Sequence, residues 1–230
     1  MLYWQPILAF AGTVRYPMAE VLVRLHEEEA SLMPPGEFLP VFEHYQMMPA
    51  LDRWVVRNVV RHLARSSRIP RLSINISSQS LDDSEFPKAV ASELMSAGVP
   101  RSSLVFEIHE ADILTRLDAA GRFGTAVKAI GCGLLIDGFG RNSVSFAPLK
   151  TVRADYVKVD GIIVRNLLKT KAAETKLNAV LRVGEVIGFE VIAEMVEDQD
   201  VLTRLKALGV SHAQGFGIYR PELIASFRAA

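Results

Sequence analysis

Short β-like runs alternate with longer amphipathic stretches from one end of this chain to the other, and that alternation most limits how it can fold. The strand candidates are 3–10, 19–25, 71–77, 104–110, 133–140, 154–161, 189–197 and 212–219. Helical patterns lie between them, with apolar residues at three- and four-residue spacing over Leu51–Leu63, and further patterns over Thr175–Ile187 and Asp200–Leu208. Gly98, Gly131 and Gly209 stand where a helix should stop before the next strand. Eight strands separated by helices point to a parallel barrel. The chain has 230 residues, half of them apolar, which suits one α/β barrel of roughly 250 residues. The first gap breaks the pattern. Only about eight residues, with Gly12 and Pro17 among them, separate the first two strands, too few for a parallel crossover. The expectation is a modified TIM-type (β/α)8 barrel, residues 1–230 as a single domain, with the first strand antiparallel.

Composition removes several function classes. Lys and Arg number 26, as do Asp and Glu, so no global field recruits a nucleic-acid polymer or an acidic membrane. No apolar run reaches the roughly 18 residues of a membrane span, and residues 3–10 lack the basic start and small-residue cleavage site of a signal peptide. The lone Cys132, between two glycines, forms no internal disulfide, and a cytoplasmic location is expected. Trp54 and Met47-Met48 read as core or helix–helix packing.

Side chains alternate along a strand, so one set points into a barrel and the other at the helices. The inward sets here are polar: Ser73, Asn75 and Ser77; Val105, Glu107 and His109; Tyr156, Lys158 and Asp160; and, at strand ends, Asp137 and Glu194. An ordinary barrel core carries Val, Ile and Leu at such positions. An unpaired buried charge costs several kcal/mol or more, so these groups must meet one another, a cation or water. They fall towards the C-terminal strand ends, where barrel enzymes build their sites. Glu20, Asn75, Glu107 and Asp137 form an oxygen-only set suited to Mg²⁺ or Mn²⁺ rather than zinc. A structural network of buried ion pairs is the alternative. His109 reads as a barrel-lining packing residue.

These residues also spell a pattern. Tyr3-Trp4-Gln5-Pro6-Ile7, Glu20-Val21-Leu22-Val23-Arg24, Pro35-Gly36-Glu37-Phe38-Leu39-Pro40 and Ser73-Ile74-Asn75-Ile76-Ser77 come first. Phe106-Glu107-Ile108-His109-Glu110, Ile136-Asp137-Gly138-Phe139-Gly140 and Val157-Lys158-Val159-Asp160 follow. Ala193-Glu194-Met195-Val196-Glu197, then Gln214-Gly215-Phe216 with Arg220-Pro221, complete it. In this order and spacing the chain resembles the EAL family of cyclic-di-GMP phosphodiesterases. The resemblance implies that Glu20, Asn75, Glu107 and Asp137 hold a first Mg²⁺ or Mn²⁺. It implies that Lys158 orients the attacking water or a phosphate oxygen, and that Glu194 serves a second metal or its water. Glu20, Lys158 and Glu194 are thus its catalytic set, Arg24 its phosphate contact, and Gln5, Leu22, Asp160, Glu197 and Gln214 its dinucleotide pocket. The family reaction opens one phosphodiester of the ring to give linear pGpG, with two metals roughly 4 Å apart.

The chain departs from the family at Gly138, where relatives carry a second Asp that ligates the second metal. The following loop, Gly140-Arg141-Asn142-Ser143-Val144-Ser145-Phe146, has also lost its pattern, although Glu110, which holds that loop in relatives, is retained. Arg141 reads as a solvated loop residue and Met195 as a residue that crowds the pocket. The resemblance therefore implies a cyclic-di-GMP receptor with one metal site occupied or none and little or no hydrolysis. Its output would run through a protein partner or a neighbouring signalling domain, and a homodimer is compatible with it. A working phosphodiesterase and a non-binding scaffold are the alternatives.

Overall fold

The computed structural model describes residues 1–26, 32–33, 35–65, 69–141 and 146–224. In chain order its elements are β1 (Leu2–Ala9), β2 (Met18–Val23), β3 (Leu25–His26), β4 (Leu32–Met33), α1 (Pro35–His44), α2 (Met48–Arg65) and β5 (Arg71–Asn75). Then come α3 (Phe86–Ala97), β6 (Leu104–His109), α4 (Glu110–Thr115), α5 (Leu117–Ala129), β7 (Gly133–Phe139), α6 (Ala147–Thr151) and β8 (Tyr156–Val159). The last are α7 (Gly161–Arg165), α8 (Lys171–Ile187), β9 (Glu190–Ala193), α9 (Gln199–Ala207), β10 (His212–Ala213) and β11 (Glu222–Leu223).

The sheet runs β10-β9-β8-β7-β6-β5-β2-β1-β11, and a β10–β1 pairing closes it into an eight-stranded barrel. β1 is antiparallel to β2, with Gln5 opposite Glu20, and antiparallel to β10. The other neighbours, from β2 to β10, are parallel. The short first connection does what its length requires. Gly98, Gly131 and Gly209 all take positive φ and stop their helices.

Alternation fills the barrel in two layers. Below lies an apolar plug of Ile7, Met18, Val105, Leu135, Tyr156 and Ile192. Two residues nearer the mouth on the same strands stand Gln5, Glu20, Glu107, Asp137 and Lys158, with Glu194 just past the end of β9. The outward aliphatic set meets the helices, as where Ile74, Phe106 and Leu134 join Val56, Phe86 and Phe123 in the main core.

Three expectations change. Ser77 does not continue the inward set: β5 ends at Asn75, and Asp52 of α2 takes both the Ser77 amide and its hydroxyl. Asp160 lies beyond β8 and caps α7 through the Ile162 amide. Trp54 is 41 % exposed and Met47 is exposed too, while Met48 is buried; on α2 the core face belongs to Val55, Val56, Val59 and Val60. Of the loop after Phe139, residues 142–145 lie outside the described residues.

Candidate functional site

Lys158 stands at the centre of the polar layer, 1 % exposed. Its Nζ lies 2.7 Å from Glu107 Oε2, 2.9 Å from Glu20 Oε2 and 3.7 Å from Asp137 Oδ1. Glu20 is held further by Asn75 Nδ2 at 2.8 Å and Gln214 Nε2 at 2.9 Å. Gln214 also donates to Gln5 Oε1 at 3.3 Å, and Gln5 donates to the Tyr219 carbonyl at 2.9 Å. One network thus gathers seven of the residues singled out in the sequence, from β1, β2, β5, β6, β7, β8 and the end of β10.

The network is short of positive charge. Burial, then Glu20, raises the Glu107 carboxyl to about 8 despite the nearby ammonium. Burial alone would lower Lys158; the carboxylates of Glu107, Glu20 and Asp137 override it and hold its pKa well above the usual value. For Glu20 burial also acts upward, but Lys158 with the Asn75 and Gln214 amides wins and lowers it. Burial and the charge of Asp137 push Glu194 up to about 7, while its Oε1 accepts the Gly161 amide at 2.7 Å.

Glu107 Oε1 and Asp137 Oδ1 are buried without a hydrogen-bond partner. Among the described residues no three of His, Cys, Asp and Glu are drawn together closely enough to grip a metal as they stand, because the Lys158 ammonium lies between the carboxylates. An all-oxygen set with two orphaned buried oxygens nevertheless fits a hard cation such as Mg²⁺ or Mn²⁺. Glu20, Asn75, Glu107 and Asp137 are the residues that would hold it.

Beside the network opens a cavity of about 190 Å³ lined by Gln5, Glu20, Glu194, Met195, Glu197, Gln214, Gly215 and Phe216. At Gly215 the chain passes close against Val196: a β-carbon there would lie 2.1 Å from the Val196 carbonyl oxygen. Met195, at φ 56, lies over Gly161 with its sulfur 3.0 Å from Arg165 Nη2. Phe216, 60 % exposed, was not assigned a place from sequence, since an aromatic after a glycine carries no spacing signal. Leu22 follows Glu20 on the same face of β2, half-buried. Arg24 is not in the network; its guanidinium donates to the Val23 carbonyl at 2.8 Å. Arg141 is exposed, 3.9 Å from Asp160, and Glu110 Oε2 accepts the Gly140 amide at 3.0 Å. A larger cavity of about 350 Å³ opens at the other barrel end, where Lys128 pairs with Asp155 and Arg71 with the Tyr156 hydroxyl.

A family model described as "EAL domain" matches residues 1–221. The chain belongs to the EAL domain family. Among curated relatives it is 29% identical over 230 residues to Cyclic di-GMP phosphodiesterase PdeB of Shewanella oneidensis, covering 99% of this chain and 27% of that protein. It is 29% identical over 221 residues to Cyclic di-GMP phosphodiesterase PdeF of Escherichia coli K12, covering 95% and 29%. The EAL chain thus spans under a third of the length of these two relatives. Among solved structures, the FimX EAL domain of Pseudomonas aeruginosa bound to c-di-GMP matches with TM-score 0.90 at 28% identity, covering 96% of this chain and 90% of that one. A c-di-GMP complex of the PaMucR phosphodiesterase matches in fold with TM-score 0.89 at 24% identity, covering 98% and 93%. Among the described residues no helix is long and apolar enough to cross a membrane.

Proposed function

We propose that residues 1–230 form one cyclic-di-GMP-binding EAL domain that acts as a receptor, with one divalent cation at Glu20, Asn75, Glu107 and Asp137 and little or no hydrolysis. The observation that carries the binding half is the polar mouth itself: three carboxylates round one buried ammonium, two of their oxygens orphaned, beside a cavity lined by amides and carboxylates. A bound Mg²⁺ or Mn²⁺ would neutralise phosphate charge and acidify a water there. Lys158 orients a phosphate oxygen or water from below, and Glu194, near neutrality in its pKa, takes or gives a proton. Gln5, Glu197, Gln214, Asp160 and Leu22 surround the dinucleotide, and Arg24 swings from its own strand's carbonyl to a phosphate. Output passes to a protein partner or a neighbouring signalling domain.

The receptor half rests on Gly138. It offers no ligand, and His109 fills the space above it. A working phosphodiesterase is the second reading, favoured by the raised Glu194 carboxyl beside Asp137. Incubation of trace protein with excess cyclic-di-GMP and Mn²⁺, with pGpG followed by chromatography, separates the two. The expected result is binding without turnover; many turnovers would overturn the receptor reading. Gly138→Asp should gain activity only together with His109→Thr, because the imidazole blocks the new carboxylate.

A further inference from the structure

The cavity of about 350 Å³ lies at the barrel end opposite the polar network, where β5 to β9 begin. Its wall carries four charged groups, Arg71, Lys128, Asp155 and Glu190. Two of them cancel. Lys128 donates to Asp155 Oδ1, and the other oxygen of Asp155 accepts the Leu134 amide at 2.9 Å. The other two are unmatched. Arg71 begins β5 and donates to the hydroxyl of Tyr156, a neutral group; it forms no ion pair among the described residues. Glu190 begins β9 beside Tyr156 in the register, and the group nearest its charge is His212, whose Nδ1 is 3.4 Å away without a hydrogen bond. Burial lowers the His212 pKa more than Glu190 lifts it, so the ring stays neutral near neutral pH and leaves the carboxylate charge standing.

A guanidinium and a carboxylate, each without a counter-charge, thus face one cavity. Both act on the same two rings, Tyr156 and His212, whose centroids are 6.0 Å apart, yet they do not pair with each other. Tyr156 supplies a third group. It is 7 % exposed and packs in the apolar plug with Ile7, Leu135 and Ile192, which fixes its hydroxyl at the cavity wall. The hydroxyl oxygen accepts from Arg71, and its own proton has no acceptor among the described residues. A guanidinium fork beside a free phenolic O–H is a ready anchor for a carboxylate. Cys132, on the same wall, is pushed up to about 12 by burial and stays a thiol, so the wall offers binding rather than thiolate chemistry. The volume lies at the lower end of the range of ligand pockets, which limits the occupant to a small molecule.

We propose that this cavity is a second ligand site, for a small zwitterion with the two charges of an α-amino acid: its carboxylate on Arg71 and the Tyr156 hydroxyl, its ammonium on Glu190. A simple anion here would leave Glu190 unmatched and be repelled by it; a simple cation would meet Arg71 in the same way. The site is separate from the mouth and does not depend on what binds there.

Thermal unfolding of the unaltered protein with each standard amino acid at millimolar concentration, then calorimetric titration of those that act, tests it. At least one should raise Tm by about 4 °C, the shift for a ligand at roughly ten times its Kd on a chain of this size. The matching acid without its amino group, and the amine without its carboxylate, should each bind at least about tenfold more weakly. Tyr156→Phe keeps the ring in the plug and Glu190→Gln keeps the side chain's size; each should lose about tenfold in affinity. Glu190 is exposed, so its variant reads affinity even where Tyr156→Phe unfolds easily. A shift that survives unchanged in Glu190→Gln places the amino acid elsewhere, the mouth included, and overturns the proposal. So does the absence of a shift with every amino acid, or equal binding by the acid that lacks the amino group.

Discussion

A single lysine decides whether the barrel interior is a site or a fault. Lys158 holds three carboxylates from three strands at 2.7–3.7 Å. Taking one member from a buried ion cluster leaves uncompensated charge at a cost of about 3–5 kcal/mol. Lys158→Met should therefore lower Tm sharply in the presence of a chelator. Mn²⁺ should then raise the Tm of the variant more than that of the unaltered protein, since the cation takes the position of the lost ammonium. If Mn²⁺ stabilises the variant no more than the parent, these carboxylates are not the cation site. The residue types of this cluster were legible from strand alternation alone, because a polar residue two places above an aliphatic one on the same strand has no other interior partner. That Lys158 pairs with the acids stood open in the sequence, as a network of buried ion pairs; which acids it would meet was not legible, because parallel neighbours are joined by long connections and no local spacing records which strands face each other. The same gap hid the contact between His109 and Gly138, 29 positions apart in the chain but adjacent through the β6–β7 register.

Among the elements, α2 does more than cover the sheet. Its buried Asp52 accepts the Ser77 amide at 3.0 Å, the Ser77 hydroxyl at 2.7 Å and the Ser80 hydroxyl at 2.7 Å. Those three bonds tie the chain just after β5 to the helix layer, and β5 carries Asn75 into the site two residues earlier. Asp52→Ala should cost about 3 kcal/mol in urea unfolding, from lost hydrogen bonds and stranded buried donors. Asp52→Asn, which keeps an acceptor there, should cost clearly less; equal losses would mean that packing, not the acceptor, fixes the turn. The alternation of Ser73, Asn75 and Ser77 pointed the last of these inward, because sequence periodicity does not say where a strand ends. Long helices were plain from their apolar stripes. The five- and six-residue helices α4, α6 and α7 are too short for a period to register.

For the whole molecule, the weak line runs along β10, at its seam with β1 and on its other side at β9. Leu8 with Ala213 and Ala9 with His212 pair at the seam and two further pairs join β10 to β9, against six pairs between β1 and β2. The site crosses that seam, with Gln5 on one side bonded to Gln214 on the other. Amides of residues 212–214 should exchange with solvent faster than those of β6 or β7, and cyclic-di-GMP should slow them selectively, as seen by hydrogen–deuterium exchange. Protection spread evenly over the barrel, or none, would contradict a ligand that bridges the seam. The antiparallel first strand, legible from an eight-residue gap, is what places the seam here.

That seam also sets when the polar network is complete. β1 is made first, yet the strands on its far side, β10 and β11, are nearly the last. At roughly 5–20 residues per second, synthesis leaves β1 with one neighbour for on the order of ten seconds or more. Throughout that interval Glu20 lacks Gln214, and for most of it Lys158. A nascent chain therefore has no half-strength version of the polar mouth; the network is completed in one late step, when the cylinder shuts.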